Sequence, residues 1–295
     1  KYLKETIQSI YNQTYENWEI IFWDNKSTDN SEKIAKSFGP KVKYYKAINH
    51  TSLGEARRKA VERSGGELIA FVDCDDLWVA NKLELQVDKI LSSDFSLCYS
   101  GCIDIDEHDR VIRTSIPSYQ DGYMLENLLF QFDLYMASIM VRKDSLKKHN
   151  LNFDKNIFAS EEYCLFMQLA AKEKFCIVKE LLVKMRIRKD SLTSEQVSRA
   201  SFERRYTLDM IKSQNSGIEK KFMNAFLEAY ARADFYEAKY NLKIGKKIKA
   251  RKIMSQIKDI NYKYFLIYFI LFFPISIWNI INGERLKRTI TKILK

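Results

Sequence analysis

The sequence predicts an α/β fold: a mostly parallel sheet flanked by helices and followed by a helical C-terminal region. Three observations carry that prediction. Leu68-Ile69-Ala70-Phe71-Val72 is an uninterrupted apolar run, and Ile20-Ile21-Phe22-Trp23 is a second. Runs of this length read as strands buried on both faces. Helical and strand patterns alternate through residues 1–72, the order that yields parallel pairing and right-handed crossovers. From residue 198 to about residue 257 the pattern is helical with few breaks.

In chain order, Leu3, Ile7 and Ile10 space a first helix within residues 1–12. Residues 15–18 break it, and the strand at 19–23 runs into Asp24-Asn25-Lys26-Ser27-Thr28-Asp29. Residues 27–31 open a helix over 32–38, stopped by Gly39-Pro40. Residues 42–46 form the next strand. Ser52 and Glu55 make a capping box for a helix that reaches Ser64 and closes on Gly65-Gly66. The strand at 68–72 follows as the central one. Beyond it come a helix over 81–91, strands over 95–105 and 111–116 around a turn at 106–109, and a short strand at 138–142. A helical turn at 145–150, an amphipathic helix over 161–172 and strand material over 175–187 complete the pattern. There is no internal repeat and no low-complexity linker, so the division near residue 195 is soft. Three regions are expected: residues 1–195, the α/β domain; residues 196–263, a helical basic region; and residues 264–295, a hydrophobic and basic tail.

The net charge of +11 over 295 residues is unevenly spread. Residues 239–263 hold nine basic residues and one acid, and residues 284–295 hold five basic residues and one acid. The remainder is close to neutral, which argues against nucleic acid as the partner of the α/β domain. The five cysteines are odd in number and lack paired zinc-ligand spacing. They read as reduced, mostly buried thiols of a cytosolic compartment. No signal peptide is visible. His50, His108 and His149 lie outside the motifs and read as surface or loop residues.

The strand at 68–72 delivers Asp73, Asp75 and Asp76 to its carboxyl end, where open α/β sheets place their ligands. Asp73 and Asp75, one residue apart, can aim at one hard divalent cation while Cys74 points elsewhere. Oxygen ligands in this number suit Mg or Mn, which also bind substrate phosphates. A solvated acidic loop after a core strand fits the same residues equally well.

Taken together, four motifs resemble one family. Asp24-Asn25-Lys26-Ser27-Thr28-Asp29 is similar to the acidic segment after the second strand of family 2 glycosyltransferases with the GT-A fold. Leu53-Gly54-Glu55-Ala56-Arg57 and Asp73-Cys74-Asp75-Asp76-Leu77-Trp78 resemble their Arg-containing helix and Asp-x-Asp strand. Ser160-Glu161-Glu162-Tyr163 resembles their catalytic Glu-Asp segment, and Met185-Arg186-Ile187-Arg188 through Leu192 the Tyr-Arg-x-His-x-x-Ser-x element near the end of their domain. The match covers about residues 1–195. It implies a GT-A (Rossmann-like) mixed, mostly parallel sheet and an inverting transfer of sugar from a nucleotide-diphosphate donor to a hydroxyl of a glycan or lipid-linked acceptor. It also implies residue roles. Asp73 and Asp75 would hold Mn or Mg. Asp24 and Asn25 would meet the nucleoside, with Asn25 standing where a second Asp is common. Arg57 would reach a phosphate, and Trp78 would wall the sugar site or pack in the core. Arg188, where the family often has His, would clamp the diphosphate. Glu162 would be the general base, with Glu161 as the alternative carboxylate. The resemblance further places a first strand ahead of Lys1, central in the sheet, so the sequence is expected to be a fragment of a longer product.

Residues 264–281 carry no charge, are dense in aromatics and are interrupted by Pro274. That length is at the lower edge for a spanning helix. With basic flanks it reads as a segment dipping into or lying at an anionic membrane interface, or else as a buried hairpin closing the helical region. The combined expectation is a glycosyltransferase at the cytoplasmic face of the cell membrane. The rivals are a non-catalytic membrane-associated scaffold of the same fold and a sugar nucleotidyltransferase.

Overall fold

The computed structural model describes residues 1–188, 197–274 and 278. The expected alternation opens the chain: α1 (Leu3–Tyr11), β1 (Ile20–Asp24), α2 (Ser31–Lys36), β2 (Val42–Lys46), α3 (Leu53–Arg63) and β3 (Leu68–Ala70). Then follow β4 (Leu77–Trp78), α4 (Lys82–Leu91), β5 (Leu97–Ile105), β6 (Val111–Ser115), α5 (Leu125–Phe130), β7 (Met140–Arg142), α6 (Lys143–Lys148), α7 (Glu161–Ala170) and β8 (Phe175–Arg186). The C-terminal part is helical: α8 (Val197–Gln214), α9 (Ile218–Lys221), α10 (Met223–Lys243), α11 (Lys247–Ile257) and α12 (Tyr262–Ile270). The capping box forms as expected at its core contact, Ser52 Oγ accepting from the Glu55 N–H at 3.2 Å. Two small elements, β4 and α5, have no counterpart in the sequence reading.

The mixed α/β sheet falls into two pieces. β1 and β2 pair in parallel, from Ile20 opposite Val42 to Asp24 opposite Lys46. The other piece runs β3-β7-β5-β8-β4, with β6 on β5. Its longest pairing, β5 with β8, is parallel. The pairings β3–β7, β5–β7, β4–β8 and β5–β6 are antiparallel and shorter. One expectation changes here. β3 is shorter than the apolar run that announces it, and it stands at the edge of its piece, with no ladder to β1 or β2. Between β1 and β3 lies a cavity of about 910 Å³, walled on one side by Ile20, Ile21, Phe22 and Trp23 and on the other by Leu68, Ile69 and Ala70. The buried indole N–H of Trp23 has no hydrogen-bond partner, an arrangement that costs free energy unless something accepts it.

The helical part shares the core of the sheet. Leu208 and Ile211 of α8 and Phe226 and Ala229 of α10 are buried in one cluster with Leu125, Leu128, Phe166 and Leu169. The boundary near residue 195 is therefore crossed by a continuous apolar core. α10, α11 and α12 build a second cluster of their own around Ala250, Met254 and Tyr264.

Candidate active site

The site forms where β3 ends. After Ala70 the chain leaves the ladder, and a turn in which the Asp76 N–H donates to the Asp73 carbonyl at 3.1 Å presents the carboxylates. Asp73 is half exposed, and its Oδ1 accepts from Arg57 Nη2 at 2.8 Å. The opposite end of the same guanidinium donates to Glu161 Oε1 at 2.7 Å. Arg57 thus joins the Asp-x-Asp turn to the first residue of α7. A guanidinium fork suits that task because its donors are rigidly spaced.

The approach of α3 to α7 depends on one small residue. A methyl group added at Gly54 would stand 3.0 Å from both the Asp154 and Ile157 carbonyl oxygens, closer than packing allows. The loop before α7 is held from the far side by buried Glu203 of α8, whose two carboxylate oxygens accept from the Phe158 and Ala159 N–H groups at 2.9 and 2.8 Å. Sequence reading gave Glu203 no role. Its partners lie more than forty positions away, and an isolated Glu on a helix carries no signal.

The two acids at the α7 start differ. Glu161 is buried. Burial pushes its carboxyl up to about 7, with neighbouring Glu162 adding to the rise and Arg57 opposing it. Glu162 is only partly buried and so remains reachable from solvent.

Asp75 is answered by a second arginine, Arg188 Nε to Asp75 Oδ2 at 3.0 Å. Burial raises the Asp75 carboxyl above its ordinary range, Arg188 lowers it, and Asp73 raises it again. Beside it, buried Arg186 is a hub that sequence reading quoted in a motif but left without a task. Its N–H donates to Asp76 Oδ1 at 2.9 Å, its Nε to the Asp75 carbonyl at 3.2 Å and its Nη1 to Asp109 Oδ1 at 2.7 Å. Its guanidinium also lies over the Tyr2 ring, 4.1 Å from the centroid. The turn carrying the acids is thereby fixed to α1, β8 and the β5–β6 hairpin.

Among the described residues no group of three or more His, Cys, Asp or Glu side chains could hold a metal ion. The donor set is still of the right kind. Asp73 and Asp75 are hard oxygen donors, each already paired with an arginine, Arg57 at 2.8 Å and Arg188 at 3.0 Å. Magnesium-type ions commonly rest on one or two carboxylates and take their other ligands from water and phosphate.

The remaining expected residues lie close by with different commitments. Asp24 is buried. Burial would raise its carboxyl, but the Tyr44 hydroxyl at 2.5 Å and the Ser27 N–H at 2.6 Å together hold it below the usual carboxylate range. Both its oxygens are therefore already engaged. Asn25 clasps Thr51, donating to its carbonyl at 2.9 Å and accepting from its N–H at 3.1 Å. Trp78 takes the core alternative: it is buried, and its indole donates to the Ala137 carbonyl at 3.1 Å. The cysteines are all free, and four of the five are buried, as expected.

Comparison with known proteins matches this arrangement to a family. The family model for glycosyl transferase family 2 matches residues 1–149. An uncharacterised glycosyltransferase of Methanocaldococcus jannaschii is 32% identical over 194 residues, covering 63% of this chain and 66% of that protein. The Escherichia coli UDP-Glc:alpha-D-GlcNAc-diphosphoundecaprenol beta-1,3-glucosyltransferase WfgD is 34% identical over 100 residues, covering 34% of this chain and 40% of that protein. The chain spans less than two thirds of the length of these relatives. Among solved structures, S. aureus TarS 1-349 in complex with UDP-GlcNAc superposes with a TM-score of 0.71 at 16% identity, over 88% of this chain and 76% of that one. The Pyrobaculum calidifontis mannosyltransferase PcManGT, in complex with GDP-Man and Mn2+, gives 0.57 at 13% identity, over 91% and 79%. These likenesses establish the GT-A type of fold, and with the match to its family model the chain belongs to glycosyl transferase family 2.

Proposed function

We propose that this chain is the catalytic part of an inverting glycosyltransferase that moves a sugar from a nucleoside-diphosphate donor to a hydroxyl of a glycan or lipid-linked acceptor at the cytoplasmic face of the membrane. The observation that supports the reading is the Arg57 bridge, which ties Asp73 to Glu161, the neighbour of Glu162. The activity for which WfgD is named, glucosyl transfer from UDP-Glc to a diphosphoundecaprenol-linked GlcNAc, supports a lipid-linked acceptor.

Asp73 and Asp75 would hold a divalent cation, Mn or Mg. Such an ion supplies charge neutralisation of a departing diphosphate. Arg188, now paired with Asp75, offers a second cationic group to the same phosphates. Glu162 accepts the proton of the acceptor hydroxyl as that oxygen attacks the anomeric carbon. One displacement on one face inverts that carbon. Glu161 is buried against Arg57 and serves to orient it. Asp24 and Asn25 shape the turn that borders the nucleoside.

The open cavity between β1 and β3 fits an additional apolar strand, the one the family resemblance places ahead of Lys1. Two strand edges without a ladder partner among the described residues, an apolar lining and the orphaned Trp23 N–H support this seat.

The test is donor turnover with Mn, on the chain extended at its N-terminus by that strand, comparing it with Asp75→Ala. The expected product is free nucleoside diphosphate, lost in the variant. Equal activity in both would refute the metal assignment. Release of inorganic diphosphate from a nucleoside triphosphate would mark a nucleotidyltransferase instead.

A further inference from the structure

The helix α12 is apolar except for Lys263, yet only one side of it is covered. Tyr264 and Leu271 are buried in the cluster formed with α10 and α11. On the other side Tyr262, Phe265, Leu266, Phe269, Phe272 and Phe273 stand between 44% and 57% exposed. Their spacing of three and four places them on one continuous face. Exposed apolar surface of this extent marks a contact site on a soluble domain.

The rim of that face is basic. The Arg251 guanidinium lies 4.7 Å from the Phe272 ring centroid, and the Lys258 ammonium 5.6 Å from that of Tyr268. Lys247 donates to the Phe273 carbonyl. Lys263 is exposed on α12 itself. The surrounding residues 239–263 hold nine basic residues against one acid. Among the described residues no helix is long and apolar enough to cross a membrane.

We infer that this face docks on an anionic lipid bilayer, with α12 lying in the interface plane. Aromatic side chains beside lysines and arginines favour that boundary, where rings enter the acyl region and charges meet lipid phosphates. A second copy of this chain is the poorer occupant, because it would bring two such basic segments together. The inference concerns the C-terminal helices only, so it stands or falls independently of the transfer reaction.

The test is co-sedimentation of the full chain with vesicles of phosphatidylcholine alone or mixed with phosphatidylglycerol. Binding is expected to the mixed vesicles. Phe265→Ser/Phe269→Ser should weaken it at least about tenfold, since each ring withdraws its apolar area from the bilayer. Arg251→Gln and Lys258→Gln should each weaken it about fivefold. Far-UV circular dichroism and Tm confirm that the variants fold, as expected for exposed positions. Three results would overturn the inference: no binding to the mixed vesicles, binding unchanged by both sets of substitutions, or a vesicle-free dimer that Phe265→Ser/Phe269→Ser dissolves.

Discussion

At the scale of single residues, two adjacent acids have different work in the proposed site. Glu162→Gln should lower kcat by about 10²–10⁴-fold, the usual worth of a positioned general base, with little change in Tm because the side chain is only partly buried. Glu161→Gln should instead disturb Arg57, raising KM for donor and changing Tm; steady-state kinetics and thermal melts on both variants separate the roles. A second residue-scale prediction concerns Lys82. It is fully buried, donates to Gln86 Oε1 at 2.5 Å and lies 4.3 Å from the Trp78 ring centroid. Burial pushes its amine down to about 7. The folded state thus holds the proton less well than the unfolded chain, so stability is lost as pH falls from about 10 through 7. Lys82→Met removes this dependence. The Tm gain of the variant over the native chain should be greatest at pH 7 and below, about 2–4 °C per kcal/mol relieved, and should shrink toward pH 10. A gain independent of pH would contradict the assignment. The acids of the site were legible in the sequence because each ends an apolar run or opens an apolar helix. Arg186 and Glu203 were not, since their partners Asp76 and Phe158 lie 110 and 45 positions away and no local pattern records such a meeting.

At the scale of elements, the proposed site depends on how closely α3 meets the loop before α7. Gly54→Ala places a methyl group against two backbone carbonyls that cannot rotate away. The expected cost is about 1–3 kcal/mol, read as a lowered denaturation midpoint together with reduced donor turnover. Glu203→Gln keeps the shape but turns one of two acceptors into a donor facing an N–H. Loss of that bond should cost about 1–3 kcal/mol and lower kcat, and retention of native kcat and Tm would show that the α7 entry is fixed by other contacts. The long elements were readable from apolar period and caps, as Ser52 and Glu55 show. β4, α5 and the true length of β3 were not. β4 is set by tertiary pairing alone, Leu77 and Trp78 joining the ladder to Lys184 and Val183.

At the scale of the whole molecule, two features govern behaviour. The helical C-terminal part contributes to the core of the sheet through Leu208, Ile211 and Phe226, so truncation near residue 195 should unfold the α/β part rather than release it; a cooperative melt of the truncated chain at native Tm would argue otherwise. The sheet itself is divided by the cavity between β1 and β3. The family resemblance implied a central strand ahead of Lys1, but the order of helices and strands did not tell that β1 and β3 would be the two edges left without a shared ladder. An N-terminal apolar strand seated there should raise Tm and quench the exchange of the Ile20–Asp24 and Leu68–Ala70 amides. The central claim remains that Asp73 and Asp75 hold a cation for a diphosphate beside Glu162. Its most direct test is calorimetric titration of the extended chain with UDP and with GDP, with and without Mn. Mn is expected to tighten one of these by about tenfold or more, within the usual range of coupling between ligands, and Asp75→Ala to abolish the gain. Affinity for both nucleotides that is indifferent to Mn, or a gain that survives Asp75→Ala, would contradict it.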